Sequence, residues 1–149
     1  MSKPVLVGIH HVKFPVTDLR RSRAWYERVF DLRPVLEFRD DHDGVVRGIG
    51  YELPGLPDLQ VALRENPEAS RGIAGFDPVS FAIADRAAAE AWVARLDELG
   101  IDHSPVIDAT IGWLVVFHDP DGTEIHLYSM ERHGIDPVGR PHTGRPVDA

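Results

Sequence analysis

The feature that most constrains this chain is that it repeats itself, because a repeat at long period implies two copies of one supersecondary unit. Residues 11–32, HVKFPVTDLRRSRAWYERVFDL, align without gaps to residues 78–99, PVSFAIADRAAAEAWVARLDEL, at an offset of 67 with seven of 22 positions identical. The shared positions fall where both copies need the same physics. Val12 and Phe14 in the first copy, and Val79 and Phe81 in the second, alternate along one strand face. Asp18 and Asp85 stand where the next helix needs an N-cap. Trp25 and Trp92 fall mid-helix on an apolar stripe and are expected in the core.

Short strand candidates follow each helix: 33–39, 45–53 and 59–65 in the first half, and 103–108, 113–118 and 123–129 in the second. DDHDG (40–44), GLPD (55–58) and DPDG (119–122) are turn signals, and the DDHD charges suit a solvated hairpin tip. The segment NPEASRGIAGFD (66–77) is expected to be a linker. The order is therefore βαβββ twice. The expected class is α+β: two tandem βαβββ modules forming a concave, partly open, barrel-like mixed sheet, with one helix outside each half. The repeats span about 6–65 and 77–130 of a single domain, 1–132. Residues 133–149, with three Pro and three Gly and no apolar periodicity, are expected to form a loosely packed tail.

Composition removes several function classes. The 149 residues include no cysteine, which excludes disulfides, thiolate metal sites and cysteine nucleophiles. No apolar run reaches the length of a membrane span, and the start lacks a long secretory apolar stretch, so no membrane partner and a cytoplasmic location are expected. The net charge of −8 argues against nucleic acid as a partner. No phosphate-binding glycine loop or serine nucleophile elbow is present.

The paired βαβββ modules, opening with HHVKFPVTDLRRSRAWY and closing with DPDGTEIHLYS, resemble the vicinal oxygen chelate superfamily: the glyoxalase, bleomycin-resistance and extradiol dioxygenase group. The likeness covers residues 6–130. The fold hosts isomerases, ring-cleaving oxygenases and plain binding proteins, so it does not name the reaction. In the metal enzymes of this family the resemblance implies four ligand positions, one on the first and one on the last strand of each half. The matching residues here are His11, Ala62, Pro78 and His126. Alanine and proline have no donor side chain. A divalent metal is therefore possible on His11 and His126, with a glutamine, Glu124 or a substrate oxygen completing a poor site, and is not the favoured reading. The resemblance also implies a homodimer, which apolar strand edges would favour.

Strand parity selects the residues that face the concavity. It places His11 and Lys13 opposite Val12, Phe14 and Val16, with His10 on the helix side or before the packed region. The same parity gives Gln60, Ala62 and Arg64 on the fourth strand, Ser80 on the fifth, and Glu124, His126 and Tyr128 on the last. Trp113 is a candidate aromatic wall. Histidine at 11 or 126, with Tyr128, offers acid–base chemistry near neutral pH. Lys13 or Arg64 suits a carboxylate or enolate, although Arg64 and Glu124, near strand ends, also suit structural ion pairs. His103, His118, His133 and His142 are expected in solvent. Two functions follow. One is a small-molecule-binding protein with a degenerate metal site that sequesters a polar metabolite or drug-like ligand. The other is a lyase, isomerase or dioxygenase-type enzyme using His11 and His126.

Overall fold

The structure is a computed structural model in which residues 2–133, 144 and 147 are described. His142 and nearly all of the expected tail lie outside the described residues. The chain divides into two compact units, Met1–Ile73 and Ala74–Ala149. The first contains β1 (His11–Val16), α1 (Leu19–Phe30), β2 (Arg33–Arg39), β3 (Val46–Leu53), β4 (Leu56–Glu65) and α2 (Pro67–Ile73). The second contains β5 (Ser80–Ile83), α3 (Arg86–Glu98), β6 (Ile107–Asp108), β7 (Trp113–His118) and β8 (Glu124–Ser129). Each unit has one four-stranded mixed sheet, ordered β1-β4-β3-β2 and β5-β8-β7-β6. In each, the first strand runs parallel to the last and the remaining pairs are antiparallel. The α+β class and the repeated βαβββ order are as expected.

Alternation on β1 sorts its side chains by face. Phe14 and Val16 are fully buried, while His11 and Lys13 are exposed. The buried face meets α1, whose Leu19, Tyr26, Val29 and Phe30 are buried, with the Phe14 and Tyr26 rings 5.4 Å apart. Both helices start as expected. Asp18 Oδ1 accepts from the Arg21 N–H at 3.0 Å, and Asp85 Oδ1 accepts from the Ala88 N–H at 2.9 Å. Replacing either aspartate with alanine is expected to cost about 1 kcal/mol of stability, read as a lower urea midpoint at unchanged m-value.

Four local expectations need correction. Trp25 and Trp92 are half-buried rather than core; the buried aromatic of α1 is its neighbour Tyr26. The presumed linker begins with helix α2, in which Asn66 caps the Ala69 N–H at 3.1 Å and Pro67 takes the first helical position. The GLPD turn lies earlier, since Leu56, Pro57 and Asp58 already belong to β4 and the reversal uses Gly55 at φ +81°. Finally, 103–108 is mostly not strand: β6 has two residues, and His103 forms an isolated bridge to Phe117.

Candidate functional site

Residues paired across a sheet share a face, so register assembles the site of the first unit. One row runs Lys13, Ala62, Gly50, Leu36 across β1, β4, β3 and β2. The next runs Pro15, Arg64, Gly48, Phe38, and a third places His11 beside Gln60. This face opens into a cavity of about 400 Å³. His11, Lys13, Gln60, Ala62 and Arg64, all anticipated from the sequence, line it together. Its other lining residues are His10, Leu36, Phe38, Gly48, Gly50 and Leu63, none of which was anticipated. A signal for the glycines was present: in VRGIGYEL they are two apart, hence on one face. A strand glycine marks a place where something else comes close, and here that is Phe38 and Leu36 on the neighbouring strand.

His10 takes one of its two expected places, before the packed strand, but it was not expected at the cavity. It precedes β1, so strand parity does not govern it, and it borders the cavity beside His11. The two Nδ1 atoms are 3.0 Å apart, with the rings edge-on at 5.2 Å. Such a contact needs one ring to donate and the other to present a lone pair, so the pair shares a single proton between these atoms.

The cations at this site are not equivalent. Arg64 donates to Asp40 Oδ1 at 2.8 Å, and Arg47 donates to Asp40 Oδ2 at 2.6 Å and to both oxygens of Asp43. The expected solvated hairpin tip is thus tied down by ion pairs. Lys13 makes no ion pair among the described residues and stands exposed at the rim. Hydrogen bonds from Arg64 and then Arg47 hold the Asp40 carboxyl below the usual carboxylate range. A depressed carboxylate stabilises the fold above its unfolded pKa, and that contribution is lost as pH falls through the native value. The stability advantage of the native chain over Asp40→Asn is therefore expected to be constant above about pH 5 and to vanish on further acidification, as read by urea unfolding at each pH.

In the second unit, register places Ser80 beside His126, and Tyr128 beside Ala82. Glu124 pairs across the sheet with His118, whose Nε2 lies 3.6 Å from Glu124 Oε2. His126 is held between two carboxylates. Its Nε2 is 2.5 Å from Glu124 Oε1, and its Nδ1 is 3.4 Å from Asp77 Oδ2. Asp77, Glu124 and His126 offer ligand atoms within 4.8 Å of one another. Asp77 and His118 were not anticipated here. Tyr128 Oη accepts from the Ile111 N–H at 3.2 Å. Trp113 stacks under the Arg86 guanidinium, 4.7 Å from the ring centroid, and meets the His133 ring edge-on at 5.5 Å.

Two histidines expected in solvent are engaged. The His133 side chain, 2% exposed, contacts Asp108 Oδ1 at 2.8 Å and the Ala109 carbonyl at 2.6 Å. His103 bonds the Ser104 carbonyl and Asp97, and both raise its pKa. His118 is exposed, as expected, although it borders Glu124. Asp119 forms the expected turn, accepting from the Asp121 and Thr123 N–H groups at 2.9 Å.

Comparison with known proteins bears on this geometry. A family model for the Glyoxalase/Bleomycin resistance protein/Dioxygenase superfamily matches residues 8–127. A glyoxylase/bleomycin resistance protein/dioxygenase domain from Frankia sp. superposes with a TM-score of 0.68 at 27% identity, covering 88% of this chain and 96% of that one. TnmS3, an antibiotic binding protein from a Streptomyces species, gives 0.68 at 20% identity over 85% and 98% of the two chains. The fosfomycin resistance protein FosX from Listeria monocytogenes, complexed with Mn(II) and a dihydroxypropylphosphonic acid, gives 0.65 at 18% identity over 83% and 93%.

Proposed function

This chain belongs to the Glyoxalase/Bleomycin resistance protein/Dioxygenase superfamily, and we propose that within it the protein binds and sequesters a small molecule in the cavity of the first unit. The observation that carries this reading is the cavity wall: small residues on the floor, apolar side chains at one side and polar groups at the rim. Binding by shape needs no metal. The metal common in this family does not fit its usual positions here, because Ala62 and Pro78 supply no lone pair. No chemical step is derived through one. The fold is shared with TnmS3, an antibiotic binding protein, and with FosX, a fosfomycin resistance protein.

One observation favours the enzymatic alternative. His126 between Glu124 and Asp77 is a histidine–carboxylate cluster of the kind that moves protons, its ring oriented by the two carboxylates. A thermal-shift screen against drug-like and metabolic compounds, followed by mass spectrometry of every hit, separates the two. Binding predicts a raised Tm with the compound recovered unchanged. Consumption of a hit, lost in His126→Ala, would replace the binding reading with the enzymatic one. The proposal includes a homodimer, which the exposed edge strand β2 would suit, and a cytoplasmic location. No helix of the described residues is long and apolar enough to cross a membrane.

A further inference from the structure

The first-unit cavity is polarised along one direction, and the sheet register sets that direction. Reading across the strands from β2 to β1, one row runs Leu36, Gly50, Ala62 and ends at Lys13, and the next runs Phe38, Gly48, Arg64 and ends at Pro15. Three strand spacings, about 14 Å, separate the backbone of β2 at the apolar end from that of β1, which carries Lys13. The middle of the trough has no side chain larger than a methyl group on Gly48, Gly50 and Ala62, so its floor is nearly flat. A Cβ placed on Gly50 would meet Leu36 Cβ at 3.6 Å and Phe38 Cε2 at 3.8 Å. The wall therefore stands directly against the glycine floor. A flat floor with an aromatic wall selects a planar apolar body over a branched one.

The other end selects charge. Arg64 is already neutralised by Asp40, which leaves its guanidinium as a fixed rim. Lys13 is exposed on the same face, with no ion pair among the described residues. Its side chain is a flexible point charge able to meet an anion at the end of the trough. The His10–His11 pair stands at the same end and can donate a further hydrogen bond. The chain as a whole carries −8, so attraction for an anion has to come from these local groups.

We propose that the ligand of this cavity is a planar aromatic monoanion, its ring lying on Gly48, Gly50 and Ala62 against Phe38 and Leu36, and its carboxylate or equivalent anionic group on Lys13. This rests on the binding reading given above and narrows it to one chemical class.

The test uses 2-naphthoate and its neutral isostere 2-naphthamide, titrated calorimetrically into the full chain, Lys13→Gln and Gly50→Val. The expected result is that the native chain holds the carboxylate about tenfold or more tighter than the amide. Lys13→Gln brings the carboxylate down to the affinity of the amide and leaves the amide unchanged. Gly50→Val abolishes both. Where Gly50→Val does not fold, judged by circular dichroism, Ala62→Leu blocks the same floor from β4. Equal binding of acid and amide, both lost on blocking the floor, overturns the anionic assignment and leaves the binding reading standing. A carboxylate preference that survives Lys13→Gln overturns the assignment to Lys13. Absence of binding by either probe overturns the ligand class. Binding that a blocked floor does not disturb overturns the cavity itself as the site.

Discussion

Gly50→Val should abolish ligand binding by the first unit while leaving its fold nearly as stable as before. Gly50 lies mid-strand in β3, between Ala62 on β4 and Leu36 on β2. An added Cβ there meets Leu36 and Phe38 at 3.6 and 3.8 Å, which is ordinary contact and no clash. Valine is also the better strand residue, because glycine in a strand interior loses more backbone entropy on folding and has no side chain to pack. The backbone therefore gains, while the two γ-methyl groups occupy the floor of the trough. Affinity for any occupant is expected to fall about 100-fold or more, with Tm within about 4 °C of the native value. Gly48 is the informative contrast. A Cβ there would lie 3.2 Å from Phe38 Cβ, so Gly48→Val makes the Phe38 side chain give by a few tenths of an ångström and should lose stability as well as binding.

Phe14→Ala is expected to be the most destabilising single change in the first unit, at about 3–5 kcal/mol. The ring is fully buried, packed on Tyr26 at 5.4 Å, and joins β1 to α1. Against a typical domain stability of about 5–15 kcal/mol, that loss leaves little. Phe81, at the equivalent position of the second copy, is only half-buried and should cost distinctly less. Paired urea titrations of the two variants measure the difference. Equal losses would mean that the repeat imposes the same packing on both copies, which the burial of these two residues contradicts.

The repeat made most of the fold legible. The alternation of Val12, Phe14 and Val16, and the caps at Asp18 and Asp85, are local physics, and each is found where the residues place it. α2 was legible too, through Asn66 and Pro67, but a segment dense in glycine reads as a linker when composition is weighed before caps. Parity also found half of the first-unit site. His11, Lys13, Gln60, Ala62 and Arg64 face one cavity because β1 and β4 pair in the register their alternation requires.

What parity could not supply was the other half. Leu36 and Phe38 read as ordinary strand hydrophobics, and whether an apolar side chain faces a helix or a cavity depends on sheet order rather than on its own neighbours. Gly48 and Gly50 read as weak strand residues until β2 lies beside them. His10 lies before β1, one of the two places expected for it, and its approach to the cavity was not legible because alternation applies only inside a strand. Asp77 precedes β5 and reaches His126 only through the parallel pairing of β5 with β8, a long-range contact with no sequence signature.

The central claim is that the trough built by β1, β4, β3 and β2 is where this protein meets its ligand. Amide NMR of the full chain titrated with 2-naphthoate tests it most directly, since the Gly48 and Gly50 N–H groups report from the floor itself. The account predicts progressive, saturable shifts at Lys13, Gly48, Gly50 and Ala62, with Asp77, Glu124 and His126 unmoved. Shifts confined to Asp77, Glu124 and His126, with the two glycines silent, would contradict it and make the second unit the functional one.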